Sequence, residues 1–472
     1  MTQNANQSLV IWDLEMVDYD VIVAGSGTAG TVTAFTIANK GHSVLLIDRK
    51  ERDQIGNKTC GDALASHHPA RLKELIGLPD IPSSIVEHTV DSMDLISPDR
   101  RHRLHLDGPT IKGISLNRLG LGQWLLNLAE KTGAEVFSSS RVKRLLFDDG
   151  KVIGVKVRKD TESTDRNLTA RIVVDATGAP GMLRRQLPPS SLIDRFIEKQ
   201  DMMTAWRAIL EFPEYTFEKP NLLEVFWNQD QTPGGYTWVF PKGHQRVNIG
   251  LGLTTLLGYS GPREIFESFV RPTWEFMKKR HVVVDSGGGI APMRRPIDTM
   301  VDDNFMVVGD AACQVNPVHG GGIGPSMLGG ALAGISASDG LERNETSISS
   351  LWKYNTEYMR SYGVKQAALD IFRWFLLSVT NQEIDFAFKK GIIKGSDMLS
   401  VGITGKMETK RSEKVKRLIS GVGNVPFLRR LSAVSKLMTQ MRTIYAEYPE
   451  SPNMLELWRK RLLPLYHAVR RV

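Results

Sequence analysis

Short apolar runs that end in glycine or aspartate recur along the chain, and they predict buried parallel strands leading into tight turns. The first run, YDVIVA at 19–24, is followed by GSGTAG at 25–30 and by an apolar helix to about residue 39. A second run, VLLID, ends at Asp48, and RIVVDATG at 171–178 predicts a third strand. This order of strand, turn, helix and strand predicts a Rossmann-like α/β unit.

An alternating pattern replaces these runs in the middle of the chain. Residues 202–255 hold four segments of alternating apolar residues, separated by Gly and Pro, which predict an antiparallel sheet. The segment from Val142 to Val157 predicts a hairpin around residues 148–150. The triplet at 287–289, three glycines in a row, predicts a turn.

Helical periodicity accounts for much of the remainder. Residues 115–134 predict an amphipathic helix, and 351–472 predict a mostly helical C-terminal region over the substrate side. The best candidate for a membrane span, 369–380, is too short and contains Arg373. No signal-peptide pattern opens the chain. We therefore expect a cytoplasmic protein, soluble or peripheral at the inner membrane surface.

Composition excludes several kinds of site. With 472 residues, 41% of them hydrophobic, the chain is long enough for two or three domains. Its two cysteines, Cys60 and Cys313, exclude a disulfide framework, a four-cysteine iron–sulfur cluster and a Cys-rich zinc site. We predict no metal site.

Positive charge is concentrated in the C-terminal region. Residues 351–472 contain 22 Lys and Arg against 10 Asp and Glu, whereas residues 1–350 contain 38 against 42. Two interpretations stay open: a solvated helical surface, or a face for an anionic membrane, a lipid headgroup or an acidic electron carrier such as ferredoxin. No recognition motif accompanies the charge, so we expect no nucleic-acid partner.

The glycine motif after the first strand has the spacing of a dinucleotide fingerprint. Gly25 permits the tight turn, Gly27 leaves room for a pyrophosphate, and Gly30 lets the helix pack on the strand. The amides around Ala29 would face the phosphates, and Asp48 would bind ribose hydroxyls. Motif and context together predict a bound dinucleotide.

The block FMVVGDAACQVNPVHGGGIGPSM at 305–327 decides which dinucleotide. Asp310 follows an apolar strand and would bond ribitol hydroxyls, while the amides at the start of the next helix, from Gly321 onward, would face a flavin ring. No second GxGxxG motif is present for a separate nicotinamide domain. We therefore predict FAD, with the electron source left open.

These patterns predict three parts. The FAD-binding domain covers 1–185 and 284–350 and is interrupted around 85–113 by an insertion that belongs to the substrate domain. An antiparallel-sheet substrate domain covers 186–283, and a helical region covers 351–472. The fold class is α/β, or α+β over the whole chain.

Two further residues carry candidate chemistry. Cys60 lies in a polar, glycine-containing loop, where it either contacts the flavin as a redox or catalytic group or simply fits as a small side chain. Arg118, near the start of a helix, either approaches a phosphate or the flavin, or is a surface cation.

Tyr236, Trp238 and Phe240 alternate along one predicted strand, so their side chains share one face of the sheet. Such a face usually packs on a core. The Gly- and Pro-rich flanks on both sides favour a second interpretation, an aromatic wall beside the flavin that suits an apolar, elongated substrate.

From Tyr19 to about Trp458 the chain resembles the archaeal geranylgeranyl reductases, flavoproteins with the p-hydroxybenzoate hydroxylase-type fold. The resemblance is carried by KTCGD at 58–62, by YTWVFP at 236–241 with GLG at 250–252, and by GDAACQVNPVHGGG at 309–322. Two C-terminal stretches, YGVKQAALDIFRWFL and YPESPNMLELWRK, are similar to the longer, crenarchaeal-type members. One departure is Pro325, which a first helical turn tolerates.

The resemblance implies FAD contacts and a lipid tunnel. The implied FAD contacts are Ala29, Asp48, Cys60, Gly61, Ala63, Arg118, Val142, Asp310, Gly322 and Ile323. The tunnel would be lined by Tyr236, Trp238 and Phe240, and we place His319 of the flavin block with these substrate contacts.

The resulting hypothesis is hydrogenation of geranylgeranyl chains in archaeal membrane lipids. Hydride would come from N5 of the reduced flavin and a proton from the protein, with Cys60 and Tyr236 as candidate donors. The alternatives are a flavin-dependent monooxygenase or halogenase of the same fold, and a lipid-binding flavoprotein without catalytic activity. The aromatic strand favours the reductase.

Overall fold

Three β-sheets, of eight, seven and three strands, organise the residues that the structure, a computed structural model, describes: 17–108, 111–254, 261–406 and 422–471. The strands are β1 (Tyr19–Ala24), β2 (Val44–Ile47), β3 (Ala63–Ala65), β4 (Val86–Val90), β5 (Ser92–Ile96), β6 (Arg103–Asp107), β7 (Gly113–Leu116), β8 (Glu135–Phe137), β9 (Ser140–Asp148), β10 (Lys151–Lys159), β11 (Arg166–Asp175), β12 (Met202–Glu211), β13 (Leu222–Phe226), β14 (Tyr236–Pro241), β15 (Arg246–Thr254), β16 (Val282–Pro292), β17 (Val301–Asp302) and β18 (Phe305–Val307).

Helices lie between and after these strands. The longer ones are α1 (Thr28–Ala38), α2 (His67–Ile76), α3 (Arg118–Lys131), α4 (Ile323–Glu342), α5 (Val364–Ser378), α6 (Asn381–Lys389), α7 (Gly395–Thr404), α8 (Val425–Ala446) and α9 (Leu455–Val469). Shorter α-helical pieces lie at Pro262–Ile265, Arg271–Thr273, Ile348–Leu351 and Lys353–Tyr358, and π-helical turns at Phe266–Val270 and Met359–Gly363.

The eight-stranded sheet has the predicted Rossmann-like core. Its main path is β17-β18-β11-β1-β2-β8, and the β9–β10 hairpin joins through β11. β1 is parallel to β2 and β11, and β11 is parallel to β18. The turns after these strands, at Gly25, Asp48, Ala176 and Gly309, therefore meet at one edge, where such sheets bind ligands.

Close helix packing holds this edge together. A Cβ added at Gly330 in α4 would lie 2.4 Å from the Ala29 carbonyl oxygen in α1, so the two helices touch backbone to backbone. The Thr33 hydroxyl donates to the Gly330 carbonyl across the same contact at 3.1 Å. The starts of both helices are thus fixed next to each other.

The seven-stranded sheet runs β16-β12-β15-β14-β13-β5-β6, with all neighbours antiparallel except the parallel pair β13–β5. The antiparallel sheet predicted for 202–255 is confirmed, and β5 and β6 join it from the region of the predicted insertion. β16 belongs to this sheet as well, so the predicted boundary at residue 284 falls inside a strand. The division into domains otherwise stays a prediction.

The turn predicted at the glycine triplet 287–289 is wrong, because these residues lie within β16 and pair with β12. A Cβ at Gly288 would lie 3.2 Å from the Trp206 ring, and one at Gly287 would lie 3.1 Å from the Thr59 hydroxyl. The glycines let a tryptophan and a loop approach the strand closely. A sequence pattern of three glycines does not distinguish this use from a turn.

The helical C-terminal region is confirmed over the described residues, from Ile348 to Val469. The helix predicted for 115–134 begins only at Arg118, because 113–116 form β7. Arg373, in the apolar run of α5, pairs with Asp201 at 2.7 Å and Asp370 at 2.9 Å. Among the helices described, none has the length and apolar character of a bilayer span.

Candidate functional site

The glycine turn after β1 has the geometry of a phosphate cradle. Gly25 has φ of +112°, and a Cβ there would lie 2.3 Å from the Ala176 carbonyl oxygen. A Cβ at Gly30 would lie 2.0 Å from the Gly25 carbonyl oxygen, whereas one at Gly27 would meet nothing within 4 Å. No side chain of the described residues caps α1. The first N–H groups of the helix therefore face an open position.

Asp48 closes the turn from the next strand. Its carboxylate accepts from the Ser26 N–H at 2.8 Å and from the Lys50 N–H at 2.9 Å. The Ser140 N–H donates to the Asp48 carbonyl at 2.8 Å, which brings the start of β9, with Val142, to the same end of the sheet. The predicted ribose-binding acid thus lies directly beside the glycine turn.

Of the two interpretations of Arg118, the structure excludes the surface cation. Its side chain is buried, and Nη2 donates to the Thr28 hydroxyl at the start of α1 at 2.6 Å. Within the described part of the chain, its Nε and Nη1 are buried without a hydrogen-bond partner. Two unused donors on a buried guanidinium beside the cradle fit a dinucleotide phosphate, because an unpaired buried charge is costly.

The second glycine block lies against the first. Gly309 has φ of +65°, and a Cβ there would lie 2.9 Å from the Ala29 side chain. Asp310 follows in a 3₁₀ turn, and a Cβ at Gly322 would lie 3.7 Å from its carboxylate. No side chain caps α4, which begins at Ile323. An acid and a bare helix start therefore meet, as the polyol and ring of a flavin require.

The Cys60 loop, residues 58–62, lies between this block and the aromatic strand β14. At one end the Lys58 ammonium bonds the Asp310 carboxylate at 2.6 Å. In the middle, a Cβ at Gly61 would lie 3.1 Å from the Phe240 ring and 4.0 Å from the Trp238 indole nitrogen. The loop thus spans the distance from the flavin block to the aromatic residues, and Ala63 starts β3 directly after it.

The aromatic residues form a continuous face. The ring centroids of Tyr236 and Trp238 are 6.0 Å apart, and those of Trp238 and Phe240 are 6.2 Å apart. The Tyr236 hydroxyl donates to the His319 carbonyl at 2.6 Å, which ties this face to the turn of the flavin block. A Cβ at Gly320 would lie 3.7 Å from the Tyr236 hydroxyl oxygen.

A buried polar network fixes the other end of the Cys60 loop, and the sequence interpretation missed it. The Asn248 side-chain amide donates to the Cys60 carbonyl at 2.8 Å and the Asp62 carboxylate at 3.0 Å, and it accepts from Trp238 Nε1 at 2.9 Å. The Lys242 ammonium bonds Asp62 at 2.9 Å. The available signals were an Asn inside an apolar strand and an acid inside KTCGD.

Ionisable groups around the aromatic face are held in their neutral forms. Burial, then the Asp62 charge, raises the pKa of the Cys60 thiol, and burial raises the pKa of Tyr236. Burial, followed by the charge of Lys365, lowers the pKa of His319 to about 4. His68, at the start of α2, has its pKa lowered by burial to about 3. Near neutral pH these four groups bring no charge to an apolar ligand.

The candidate residues therefore form two adjoining groups. One surrounds the glycine turn and consists of Gly25, Gly27, Ala29, Gly30, Asp48, Arg118 and Val142. The other surrounds the aromatic face and consists of Cys60, Gly61, Ala63, Tyr236, Trp238, Phe240, Asp310, His319, Gly321, Gly322 and Ile323. The contact of Gly309 with Ala29 joins them. The geometry can accommodate a dinucleotide across one edge of the sheet, with its reactive end beside the aromatic face.

Comparison with known families matches both halves of this arrangement. Residues 20–185 match an FAD dependent oxidoreductase family, and residues 201–290 match the geranylgeranyl reductase catalytic domain. A digeranylgeranylglycerophospholipid reductase of Sulfolobus acidocaldarius is 34% identical over 95% of this chain and 97% of its own. Digeranylgeranylglycerophospholipid reductase 1 of Methanopyrus kandleri is 30% identical over 73% of this chain and 87% of its own.

Solved structures share the fold at low identity. A geranylgeranyl bacteriochlorophyll reductase-like protein from Thermoplasma acidophilum has a TM-score of 0.72 at 21% identity, covering 88% of this chain and 99% of its own. The flavin-dependent brominase Bmp2 has a TM-score of 0.63 at 17% identity, covering 88% and 98%. A reductase-like protein and a brominase thus share the fold of this chain.

Proposed function

The chain belongs to the digeranylgeranylglycerophospholipid reductase family, an FAD-dependent oxidoreductase family, and we propose that it saturates C=C bonds in geranylgeranyl chains of archaeal ether lipids. The observation that carries the proposal is the aromatic face of β14 beside the Cys60 loop and the flavin block. An isoprenoid chain is apolar and elongated, and this face offers aromatic contact without charge.

The protein supplies position, a dry environment and a proton. Bound FAD would supply the hydride. The isolated alkene has no carbonyl group to accept negative charge, so protonation of one alkene carbon must run ahead of hydride addition, and positive charge develops on the other carbon. The ring faces of Trp238 and Phe240, both more than nine-tenths buried, stabilise such charge, and their burial excludes water.

Of the two candidate proton donors, the geometry favours Cys60. The Tyr236 hydroxyl proton is engaged with the His319 carbonyl, and delivering it would break that bond. Cys60 Sγ accepts from the Asp62 N–H at 3.3 Å, which leaves its own proton available, and its raised pKa keeps the thiol protonated. Full turnover by an FAD-loaded Cys60→Ser variant would rule out an obligatory role for the thiol.

An anaerobic reduction tests the proposed function. The FAD-loaded enzyme is bleached with dithionite, freed of excess reductant and mixed with a geranylgeranyl ether lipid. We expect the flavin colour to return as the lipid gains hydrogen, measured by mass spectrometry. A flavin that reoxidises only with oxygen, giving an oxygenated or halogenated product, would assign the monooxygenase or halogenase alternative. A lipid that binds without reoxidation would assign a non-catalytic protein.

The basic C-terminal region supports a place at the membrane surface and an acidic electron donor such as ferredoxin. α9 presents Lys460, Arg461 and Arg470 to solvent beside the exposed apolar Leu457 and Leu463. Part of the basic region, residues 407–421, lies outside the described residues. We expect turnover with lipid vesicles or ferredoxin to fall as salt is added, because screening weakens exposed charges. An unchanged rate would contradict electrostatic docking.

A further inference from the structure

A cavity of about 320 Å³, lined by polar and charged residues, lies between the loop after β2 and the edge of the seven-stranded sheet. Lys50, Asn57 and Lys58 line it from the loop, and Arg207, Asp285 and Ser286 line it from β12 and β16. None of its lining residues belongs to the glycine turn, the aromatic face or the flavin block. Lys58 and Thr59 belong to the Cys60 loop, but no role proposed so far uses Arg207, Asp285 or Ser286.

Arg207 is the group that most requires a ligand. Its side chain is 3% exposed, and Nη2 bonds the Asp285 carboxylate at 2.7 Å. Its Nε and Nη1 are buried and have no hydrogen-bond partner among the residues that the structure describes. A guanidinium presents its donors in a fixed planar fork, so two unused donors at a cavity wall fit the oxygens of a planar or tetrahedral anion.

The charges around the cavity also favour an anion. Three cations, Lys50, Lys58 and Arg207, face it, and the carboxylates bonded to them are Asp310 on Lys58 and Asp285 on Arg207. The Lys50 ammonium bonds the neutral Asn57 carbonyl. One positive charge therefore remains without a bonded carboxylate in this group. Burial lowers the pKa of Lys50, and a bound anion would reverse that effect.

We propose that this cavity binds the phosphate group of a ligand other than FAD, with Arg207 as its principal contact. The proposal rests on the proposed function, which offers two sources of such a phosphate. One is the headgroup of the lipid substrate, and the other is a soluble nicotinamide nucleotide that reduces the flavin. An acidic protein does not fit as well, because a nearly buried arginine at a cavity wall is out of reach of a carboxylate on another protein's surface. Lys58 connects the cavity to Asp310, so the occupant would adjoin the flavin block.

Binding to the FAD-loaded, full-length enzyme tests the proposal without turnover. The probes are sn-glycerol 1-phosphate, nicotinamide mononucleotide and, as a control without phosphate, glycerol, each titrated by calorimetry. We expect one phosphate probe to bind and glycerol not to bind. Arg207→Gln should weaken the binding at least tenfold, with the flavin spectrum and FAD content unchanged. Arg103→Gln is the matched control, since Arg103 lies in the same sheet, pairs with Glu224 and does not line the cavity.

Further variants distinguish loss of the anion contacts from unfolding of the protein. Lys50→Gln removes the cation that has no bonded carboxylate and leaves Arg207 intact, so it should weaken binding of the same probe. Binding of glycerol phosphate alone assigns the lipid headgroup, and binding of the mononucleotide alone assigns a nucleotide reductant. Equal binding by the wild type and Arg207→Gln, or no binding of either probe, overturns the proposal, as does an Arg207-dependent reduction by ferredoxin without probe binding. Failure of the proposed function would appear separately, as absent alkene reduction.

Discussion

The two ends of the Cys60 loop, four residues apart, are each held by an ion pair, one with an exposed lysine and one fully buried. Lys58 at the first end is 51% exposed and bonds Asp310 of the flavin block. Asp62 at the second end is 1% exposed, as is its partner Lys242. A second carboxylate, Glu87, and the Leu116 carbonyl also contact Lys242. One end is thus open to solvent, and the other is enclosed in a polar network.

The difference in burial means that the Asp62 end fixes the loop more strongly than the Lys58 end. An exposed ion pair contributes about 0–1 kcal/mol, whereas removing one partner of a buried pair costs about 3–5 kcal/mol. The buried end sets the position of Cys60 relative to Trp238, because Asn248 bonds both residues. The exposed end bonds Asp310 of the flavin block, where water can reach the lysine.

The strongest test of this comparison is the loss of the buried cation. Lys242→Met leaves Asp62 and Glu87 in the interior without their partner. We expect the free energy of unfolding to fall by about 3–5 kcal/mol in urea denaturation. The double variant Lys242→Met, Asp62→Leu should recover part of that loss. A single variant as stable as the wild type would show that the buried end does not anchor the loop.

A smaller effect is expected for the amide that connects the loop to the aromatic face. Asn248→Leu removes the bonds to Cys60 and Asp62 and leaves the Trp238 N–H unpaired. We expect a loss of about 1–3 kcal/mol in unfolding free energy, together with a shift of tryptophan fluorescence. Asn167→Leu, at an exposed position on β11, is the control and should change stability by less than about 0.5 kcal/mol. Equal effects of the two variants would contradict the comparison.

Acid should weaken the packing of α2, the helix that follows the loop, through His68, whose ring lies against Gly324 at the start of α4. Its pKa in the folded protein, about 3, is below the value of an unfolded histidine, so its neutral form is favoured. The contribution of neutral His68 to the unfolding free energy is therefore fully present above about pH 6.5. It declines as the pH falls towards 3, by about 1–2 kcal/mol at pH 4 after allowance for partial exposure. His68→Phe should flatten this decline, and the exposed His467→Phe should not. Identical pH profiles for all three proteins would contradict the assignment.

The smallest effect is expected at the exposed end. Lys58→Met removes the bond to Asp310 at a position where water can solvate the carboxylate. We expect the unfolding free energy to change by less than about 1 kcal/mol, with FAD still bound in equal amount. A loss comparable to that of Lys242→Met would mean that the two ends are equally rigid.

The sequence was sufficient to predict the strands and turns of the FAD-binding part of the molecule. Gly25, Gly30 and Asp48 follow strand ends in a local pattern, and a local pattern determines a strand–turn–helix unit. Tyr236, Trp238 and Phe240 share a face for an equally local reason, the alternation of side chains along a strand. The triplet at 287–289 was misread because its glycines serve a contact with Trp206 and Thr59 that no local pattern contains.

The tertiary structure decided what these local elements meet. No local pattern shows the partners of Lys58, Arg207, Lys242 and Asn248. Each acquires its role from a residue about 80 to 250 positions away in the chain, or from a cavity between the loop after β2 and the sheet edge. Only the folded chain shows which cation is buried with a carboxylate and which retains unused donors. The sequence by itself determined the family, the cofactor and the aromatic strand, because short-range spacing encodes them. The buried polar network that holds Cys60 and the cavity at Arg207 depend on burial, which is a property of the packed chain.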